Sequence, residues 1–267
     1  MKGKKGLIMG MANERSMAFG IASALKKAGA ELAFSYQSEV FLKRVQPLVD
    51  ALGGGTLVEC DVSSDESIKS LFSEIEKKFG KIDFVVHSIA YSDREELKGR
   101  YVNTSRSNFN TALEVSCYSL TAVCREAYKV MNEGGSILTM TYIGAEKVMP
   151  HYNVMGVAKA ALEASVRYLA MDLGKEKIRV NAISAGPMKT LAAAGIGDFR
   201  YMLKWNEYNS PLRRNVTLED VGKTALYLLS DLSSGVTGDV IHVDSGFHVV
   251  GMKAIDAPDI TIEKSSE

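Results

Sequence analysis

Two tyrosines and one lysine have the spacing of a catalytic group. Tyr142 lies ten residues before Tyr152, and Lys159 follows Tyr152 by seven residues. Seven residues make nearly two turns at about 3.6 residues per turn, so Tyr152 and Lys159 would share a helix face. An ammonium group near a phenol makes the phenol a better proton donor and a better hydrogen-bond donor to a developing oxyanion. By spacing alone, two packed tyrosines and a surface lysine are the commoner explanation, so the rest of the chain must decide.

Alternating strands and helices would position these residues. Short apolar runs predict seven strands, and amphipathic segments between them predict helices, including a long one over about residues 107–131. No proline- or serine-rich linker interrupts the alternation. We therefore expect one α/β domain of the Rossmann type, with a doubly wound, seven-stranded parallel sheet in the order 3-2-1-4-5-6-7 and helices on both faces. The predicted strands lie near residues 7–10, 31–37, 56–62, 82–87, 136–142, 178–183 and 239–246.

The domain is expected to cover residues 1–257, followed by a loose polar tail at residues 258–267. Its least regular part is residues 191–210, where small residues and glycines precede Phe199 and Trp205. A mobile apolar flap over a substrate and a plain helical insertion are both open interpretations of this stretch.

The end of the first strand has features of a phosphate-binding turn. Gly10 permits a tight turn, and Ser16 and Met17 open the next helix, whose N-terminus can bind phosphate. The spacing departs from the dinucleotide pattern GxGxxG, because Gly10 and Gly20 are ten residues apart with Ser16 between them. Taken alone, an ordinary strand-to-helix turn explains this stretch equally well.

The ends of the second and third strands bear on cofactor choice. Gln37 follows the second strand with no Arg or Lys directly after it, which favours NADH over NADPH because a basic side chain would accommodate the extra phosphate. Asp61 follows the third strand, where its carboxylate could accept a hydrogen bond from an adenine amino group. It could equally support the turn before the next helix, and both roles are compatible.

Small residues follow the fourth strand, so a flat ring could lie against the backbone near Ile89. His87 is expected to be a strand residue whose ring nitrogens are hydrogen-bonded within the fold. No acid or metal ligand lies at a sequence spacing that would indicate catalysis or metal binding. Ser92, at the base of a polar loop, could touch a ligand. Thr190, beyond a Gly-Pro turn after the sixth strand, could reach a pyrophosphate.

Composition excludes several classes of protein. Among 267 residues, 32 Lys and Arg balance 32 Asp and Glu, and no basic run is interleaved with aromatic residues, so we expect no nucleic-acid partner. Three cysteines without paired spacing predict reduced core thiols and no metal site. Since no signal peptide or run of about 20 apolar residues is present, we expect no membrane association and a cytoplasmic location.

Together these motifs resemble the short-chain dehydrogenase/reductase superfamily, and more closely its divergent enoyl-acyl carrier protein reductase branch. The resemblance covers roughly residues 6–251. Ordinary superfamily members carry Tyr-x3-Lys, whereas this chain carries Tyr-x6-Lys, which is the discriminating feature. The motifs that carry the resemblance are Gly10, Ser16-Met17 and Gly20, residues 60–62, residues 87–90, Tyr142 with Tyr152 and Lys159, and residues 179–187.

The resemblance implies reduction of a trans-2-enoyl thioester on acyl carrier protein by NADH, in fatty acid biosynthesis. Tyr152 would donate to the enolate oxygen, Lys159 would hold the nicotinamide ribose, and Tyr142 would shape the site. Ser92 would border the substrate, although many family members carry a small apolar residue there. The residues implied to bind cofactor are Gly10, Ser16, Met17, Gln37, Asp61, Val62, Ile89, Lys159, Met188, Lys189, Thr190, Leu191 and Ala192.

The resemblance also implies a homotetramer, which suits the alanine-rich helix after Tyr152. A carbonyl reductase of the same superfamily is the alternative, but its usual Tyr-x3-Lys arrangement is missing. A nucleotide-sensing protein without catalysis is a third hypothesis, because a fold does not determine a function.

Overall fold

The computed structural model describes residues 1–190 and 199–260. It contains the strands β1 Lys5–Met9, β2 Glu31–Tyr36, β3 Thr56–Glu59, β4 Ile82–His87, β5 Met131–Thr141, β6 Arg179–Ala185 and β7 Val240–Val243. These strands form one sheet in the order β3-β2-β1-β4-β5-β6-β7, and every neighbouring pair is parallel. The predicted sheet and its strand order are confirmed.

Helices connect the strands and cover both faces of the sheet. They are α1 Met17–Lys27, α2 Glu39–Ala51, α3 Asp65–Phe79, α4 Arg94–Leu97, α5 Arg106–Leu113, α6 Ser119–Val130, α7 Asn153–Leu173, α8 Phe199–Asn209 and α9 Leu218–Leu229. Helices α3, α6 and α7 share one hydrophobic core, and α1, α2 and α9 share a second core on the opposite face. Because successive strand residues point to opposite faces, Leu7 and Met9 of β1 enter the first core and Ile8 enters the second.

The helix predicted over residues 107–131 is divided in the structure. Between α5 and α6, residues Glu114–Tyr118 form a π-helix. The Ser119 hydroxyl donates to the Val115 backbone oxygen at 2.7 Å, a local bond that competes with regular helical pairing. The predicted helix also ends one residue early, because β5 starts at Met131 and pairs there with Ile82. Single π turns within helices are frequent at functional sites.

The irregular region predicted at residues 191–210 is partly helical. Residues 191–198 lie outside the described part of the chain, as do tail residues 261–267. From Phe199 to Asn209 the chain forms α8, whose Met202, Asn206 and Asn209 are buried. A helical insertion therefore accounts for the second half of this region.

Candidate active site

A cavity of about 950 Å³ opens at the carboxyl edge of the sheet. Gly10, which follows β1, and Ile89, which follows β4, both line it. These strands are neighbours at the point where the strand order reverses, the position where open α/β sheets bind their ligands. Its volume is near the upper end of the ~300–1,000 Å³ that is typical of small-molecule sites. The cavity therefore has the place and the size for a dinucleotide and a substrate.

Tyr142, Tyr152 and Lys159 all line this cavity. Tyr142 directly follows β5, Tyr152 directly precedes α7, and Lys159 lies within α7. The two tyrosine rings pack edge to face, with centroids 5.0 Å apart and planes at 76°. The structure thus brings together the three residues that the sequence singles out.

Lys159 is fixed by the strand beneath it. Its Nζ donates to the Met140 backbone oxygen at 2.8 Å. Burial lowers the pKa of the amine to about 8, although Cys117 and Glu163 act in the opposite direction. An ammonium group carries three N–H donors, so Lys159 can hold a ligand hydroxyl while keeping its bond to Met140.

Tyr152 is a buried phenol that keeps its proton. Burial raises its pKa, and the negative charges that Tyr142 and Glu163 can carry raise it further. The expectation that Lys159 makes this phenol a better proton donor is not reflected in its pKa, because the loss of solvation dominates and every contribution raises it. Gly144 makes room for the ring, since a Cβ at that position would lie 2.4 Å from Tyr152 Cδ1. Tyr152 is therefore suited to donate a hydrogen bond rather than to act as a phenolate.

The turn after β1 depends on Gly10 and Ser16. Gly10 has φ of 89°, and a Cβ there would lie 1.9 Å from the Ser88 backbone oxygen, so this position requires glycine. The Ser16 hydroxyl oxygen accepts hydrogen bonds from the backbone N–H groups of Ala12 and Asn13, each at 3.1 Å. Ser16 thereby folds the loop that leads to Met17, the first residue of α1, and Gly10, Ser16 and Met17 all line the cavity.

Gln37, Asp61 and Val62 line the cavity where β2 and β3 end. Asp61 accepts from the backbone N–H of Ser63 at 3.0 Å and from its hydroxyl at 2.7 Å, and the backbone bond is the main reason that the pKa of Asp61 is lowered. Gln37 Nε2 donates to the other Asp61 oxygen at 3.5 Å. Asp61 therefore supports the turn before α3, as one of its two predicted roles required.

The remaining predicted residues have different positions. Ile89, Ser92, Met188 and Thr190 line the cavity. Lys189 is exposed and is not among the residues that line it. Leu191 and Ala192 lie outside the described residues.

The apolar wall of the cavity combines Met155, which the sequence analysis did not single out, with two residues from the stretch interpreted as a possible apolar flap. Met155, Phe199 and Met202 line the cavity beside Tyr152. Met155 follows Tyr152 by three residues, so helical spacing could have indicated it. Phe199 and Met202 come from α8, within the stretch at residues 191–210 for which an apolar flap over a substrate was one of the two interpretations.

His87 is satisfied inside the fold, as predicted. Its Nδ1 lies 3.0 Å from Thr139 Oγ1, and its Nε2 lies 2.8 Å from Ser119 Oγ. Burial, reinforced by the charge of Lys159, lowers its pKa to about 3. Across residues 1–190 and 199–260, no three His, Cys, Asp or Glu side chains are grouped so as to hold a metal ion. Within the same residues, no helix has the length and apolar character to cross a membrane.

Residues 10–248 match the family model described as enoyl-(acyl carrier protein) reductase. The chain belongs to this family. It is 67% identical over 264 residues to enoyl-[acyl-carrier-protein] reductase [NADH] 1 of Rhizobium meliloti, covering 99% of this chain and 97% of that protein. It is 55% identical over 255 residues to enoyl-[acyl-carrier-protein] reductase [NADH] FabI of Rickettsia bellii, covering 96% and 97%.

Solved structures of enoyl-acyl carrier protein reductases share the fold. The Anaplasma phagocytophilum reductase in complex with NAD is 60% identical, with a TM-score of 0.93, and the match covers 97% of each chain. The Bacillus cereus reductase with NADP+ and indole naphthyridinone is 54% identical, with a TM-score of 0.92, and the match covers 94% of this chain and 98% of that one. The predicted family and fold class are confirmed.

Proposed function

We propose that this protein reduces the trans-2 double bond of enoyl-acyl carrier protein thioesters with NADH, in the elongation cycle of fatty acid biosynthesis. The observation that carries the proposal is that Tyr142, Tyr152 and Lys159 line the cavity at the strand-order reversal, together with the dinucleotide-binding elements Gly10 and Ser16. The names of its relatives, which specify NADH, support the same activity.

Tyr152 stabilises the charge that develops on the substrate. NADH, when bound, would supply the hydride for the β-carbon, and negative charge would then build on the thioester oxygen. The phenol donates a hydrogen bond or a proton to this oxygen, an interaction that strengthens toward the transition state. Because burial keeps the phenol protonated, the donor is ready when the charge appears.

Lys159 and Tyr142 support Tyr152 from two sides. Lys159, anchored on Met140, binds the nicotinamide ribose hydroxyls and keeps the local potential positive. Tyr142 packs edge-on against Tyr152, so it restricts the position of the phenol and shapes the substrate space. Ser92 borders the bound acyl thioester.

The residues that would hold the cofactor lie along the carboxyl edge of the sheet. Gly10, Ser16 and Met17 bind the pyrophosphate side, where the N-terminus of α1 favours an anion. Gln37 meets the adenosine ribose, where NADH needs no basic partner. Asp61 and Val62 would hold the adenine, Ile89 would lie under the cofactor, and Met188 and Thr190 would line its far side.

The protein forms a homotetramer in the cytoplasm and takes its substrate from acyl carrier protein. Two large apolar side chains on α7 support self-association: Tyr168 is 78% exposed and Met171 is 75% exposed. Because they are three residues apart on one helix, they are neighbours on its surface, and a contiguous exposed apolar patch marks an interaction site. Light scattering coupled to size-exclusion chromatography measures the mass, and a monomer would contradict this part of the proposal.

A spectrophotometric assay tests the activity. NADH and NADPH are compared with a crotonyl thioester and with an acetoacetyl thioester. We expect NADH oxidation with the crotonyl substrate and weaker use of NADPH. Turnover of the acetoacetyl thioester alone would instead indicate a carbonyl reductase, and bound NADH without turnover of either would indicate a sensor.

A further inference from the structure

Residues 91–100, called the mouth segment here, form one wall of the cavity. The segment includes the short helix α4 and follows the strand end that carries Ile89. The mouth-segment residues that line the cavity are Tyr91, Ser92, Asp93, Arg94, Glu95 and Leu97. Its position therefore sets the shape of the space beside Tyr152.

The start of the mouth segment is held by the helix that follows it. Ser116, in the π-helix, accepts from the Tyr91 backbone N–H at 2.9 Å and donates to the Tyr91 backbone oxygen at 3.1 Å. Asn108 Oδ1 accepts from the Asp93 backbone N–H at 2.9 Å and from the Ser92 hydroxyl at 3.2 Å. These bonds fix the first three residues but not the end of the segment.

The second half of the mouth segment is held at Glu96, which accepts from the Ser105 backbone N–H at 2.8 Å and from its hydroxyl at 2.7 Å, and at its end by Asn153, the residue next to Tyr152. Asn153 Nδ2 donates to the Gly99 backbone oxygen at 2.9 Å and to the Leu97 backbone oxygen at 3.4 Å. The Leu97 side chain is buried in the same apolar cluster as Tyr152 and Met155. The hydrogen bonds of the Asn153 side chain and the packing of Leu97 therefore both connect the mouth segment to the chain around Tyr152.

The backbone on both sides of Tyr152 has an unusual conformation. His151 has φ of 57° and Asn153 has φ of 42°. Asn, Asp and His are the side-chain-bearing residues that most often adopt this left-handed conformation. The turn that positions Tyr152 therefore has a backbone conformation that is unfavourable by itself, and contacts with neighbouring residues must stabilise it.

We propose that Asn153 is a positioning residue for the reaction, whose amide ties the mouth segment to the turn that carries Tyr152. The cavity wall and the proton donor then keep a fixed relative position. This inference rests on the proposed function of Tyr152 as the donor to the thioester oxygen. A displacement of ~1 Å in such a group can cost about 10²-fold in rate.

Two substitutions separate the side chain from the backbone conformation. Asn153→Gly removes the amide and makes the left-handed conformation easy. Asn153→Asp keeps the shape and tolerates the same backbone, but it places an oxygen where the N–H donor faced Gly99. Asn110→Asp is the matched control, because Asn110 is exposed on α5 and undergoes the same chemical change.

The kinetic measurement is kcat with a crotonyl thioester beside the Kd for NADH. We expect both Asn153 variants to lose kcat by about tenfold or more, with the NADH Kd unchanged within about twofold, because the tie acts on Tyr152 and not on the adenosine end. Asn110→Asp should match the wild type. A wild-type kcat in Asn153→Gly, or a parallel loss of NADH binding, would overturn the proposal.

Limited trypsin digestion gives a readout that does not depend on activity. Lys98 and Arg100, both exposed, offer cleavage sites at the end of the mouth segment. Mass spectrometry should show cleavage there about tenfold faster in both Asn153 variants than in the wild type or in Asn110→Asp, because opening precedes cleavage. Unchanged cleavage overturns the tie. If the wild type reduces no thioester, the proposed function fails, and the digestion still decides whether Asn153 holds the segment.

Discussion

Lys159 donates from Nζ to the backbone oxygen of Met140 across 2.8 Å, which joins α7 to β5 inside the active site. Met140 lies two residues before Tyr142, and the same helix starts next to Tyr152. One hydrogen bond therefore links the two elements that deliver the two tyrosines. Because the amine is buried, its charge is less stable than that of a surface lysine, and its pKa is lowered to about 8.

The charge on Lys159 should control NADH capture. The amine is protonated below its pKa of about 8 and loses its charge above it, so binding of an anionic dinucleotide should weaken as pH rises. We expect kcat/KM for NADH, which reports the free enzyme, to fall about tenfold per pH unit above about pH 8. Lys159→Met should bind NADH weakly and show no such decline. A wild-type profile that stays flat to about pH 10 would contradict this role.

Tyr152→Phe should abolish most of the turnover and leave cofactor binding intact. Removing the phenol oxygen deletes the donor to the thioester oxygen, for which we expect a loss of about 10²–10⁴-fold in kcat. The ring still fills its space, so the melting temperature and the NADH Kd should remain close to the wild type. Tyr142→Phe should cost about tenfold or less, because Tyr142 contacts Tyr152 through its ring. Fluorescence titration with NADH and steady-state assays measure both effects, and a larger loss in Tyr142→Phe would reverse the two roles.

Most of the sheet could be predicted because each parallel strand is a short apolar run between turn-forming residues. The clearest error is at the start of β5, which begins at Met131 rather than near residue 136. Asn132 and Gly134 have the composition of a helix stop and a turn. Here Met131 pairs with Ile82 and pairing resumes at Ser136 with Phe84, so Asn132 and Gly134 lie in the register irregularity between these two pairs.

The π-helix could not be predicted from apolar periodicity. One extra residue per turn shifts the apolar pattern too little to stand out over two short helices. Its polar contacts are partly local and partly tertiary: Ser119 bonds to Val115 within the helix, whereas Ser116 bonds to Tyr91 and Ser119 also bonds to His87. The tertiary contacts exist only once β4 and the helix have packed.

Part of the active site could be predicted from the sequence because it depends on the spacing of residues close together in the chain. Tyr152 and Lys159 share a face of one helix, and Gly10 ends a strand. The support of Lys159 by Met140 and the wall residue Met202 depend on elements that approach only in the folded chain. The sequence therefore revealed which groups could react, while their anchoring required the coordinates.

His87 should make the protein sensitive to acid. Its pKa is lowered from 6.5 to about 3 in the fold. At pH values between these two, His87 is protonated in the unfolded chain and neutral in the native state. The stabilisation is complete above about pH 6.5 and is lost as pH falls toward about 3, at up to about 1.4 kcal/mol per pH unit. Urea unfolding at about pH 7 and pH 5 should show a steeper loss in the wild type than in His87→Gln. Equal losses in the two proteins would contradict the prediction.

Gly144→Ala should act through Tyr152. The added Cβ would lie 2.4 Å from Tyr152 Cδ1 and 2.8 Å from Cε1, so the ring must move. A shift of ~1 Å in the donor predicts about 10²-fold lower kcat, while NADH binding at Gly10 and Asp61 is unaffected. Gly174→Ala is the matched control, because a Cβ there meets nothing within 4 Å and its φ of −61° suits alanine.

The double variant Gly144→Ala/Tyr152→Phe distinguishes this mechanism from a general loss of stability. If Gly144→Ala acts only by displacing the phenol oxygen, it should lower kcat little further once that oxygen has been removed, because the two changes then share one cause. Full additivity of the two losses, measured with saturating NADH and a crotonyl thioester, would show that Gly144→Ala disturbs the site by another route. Wild-type turnover in Gly144→Ala alone would show that the ring accommodates the methyl group without displacing its oxygen.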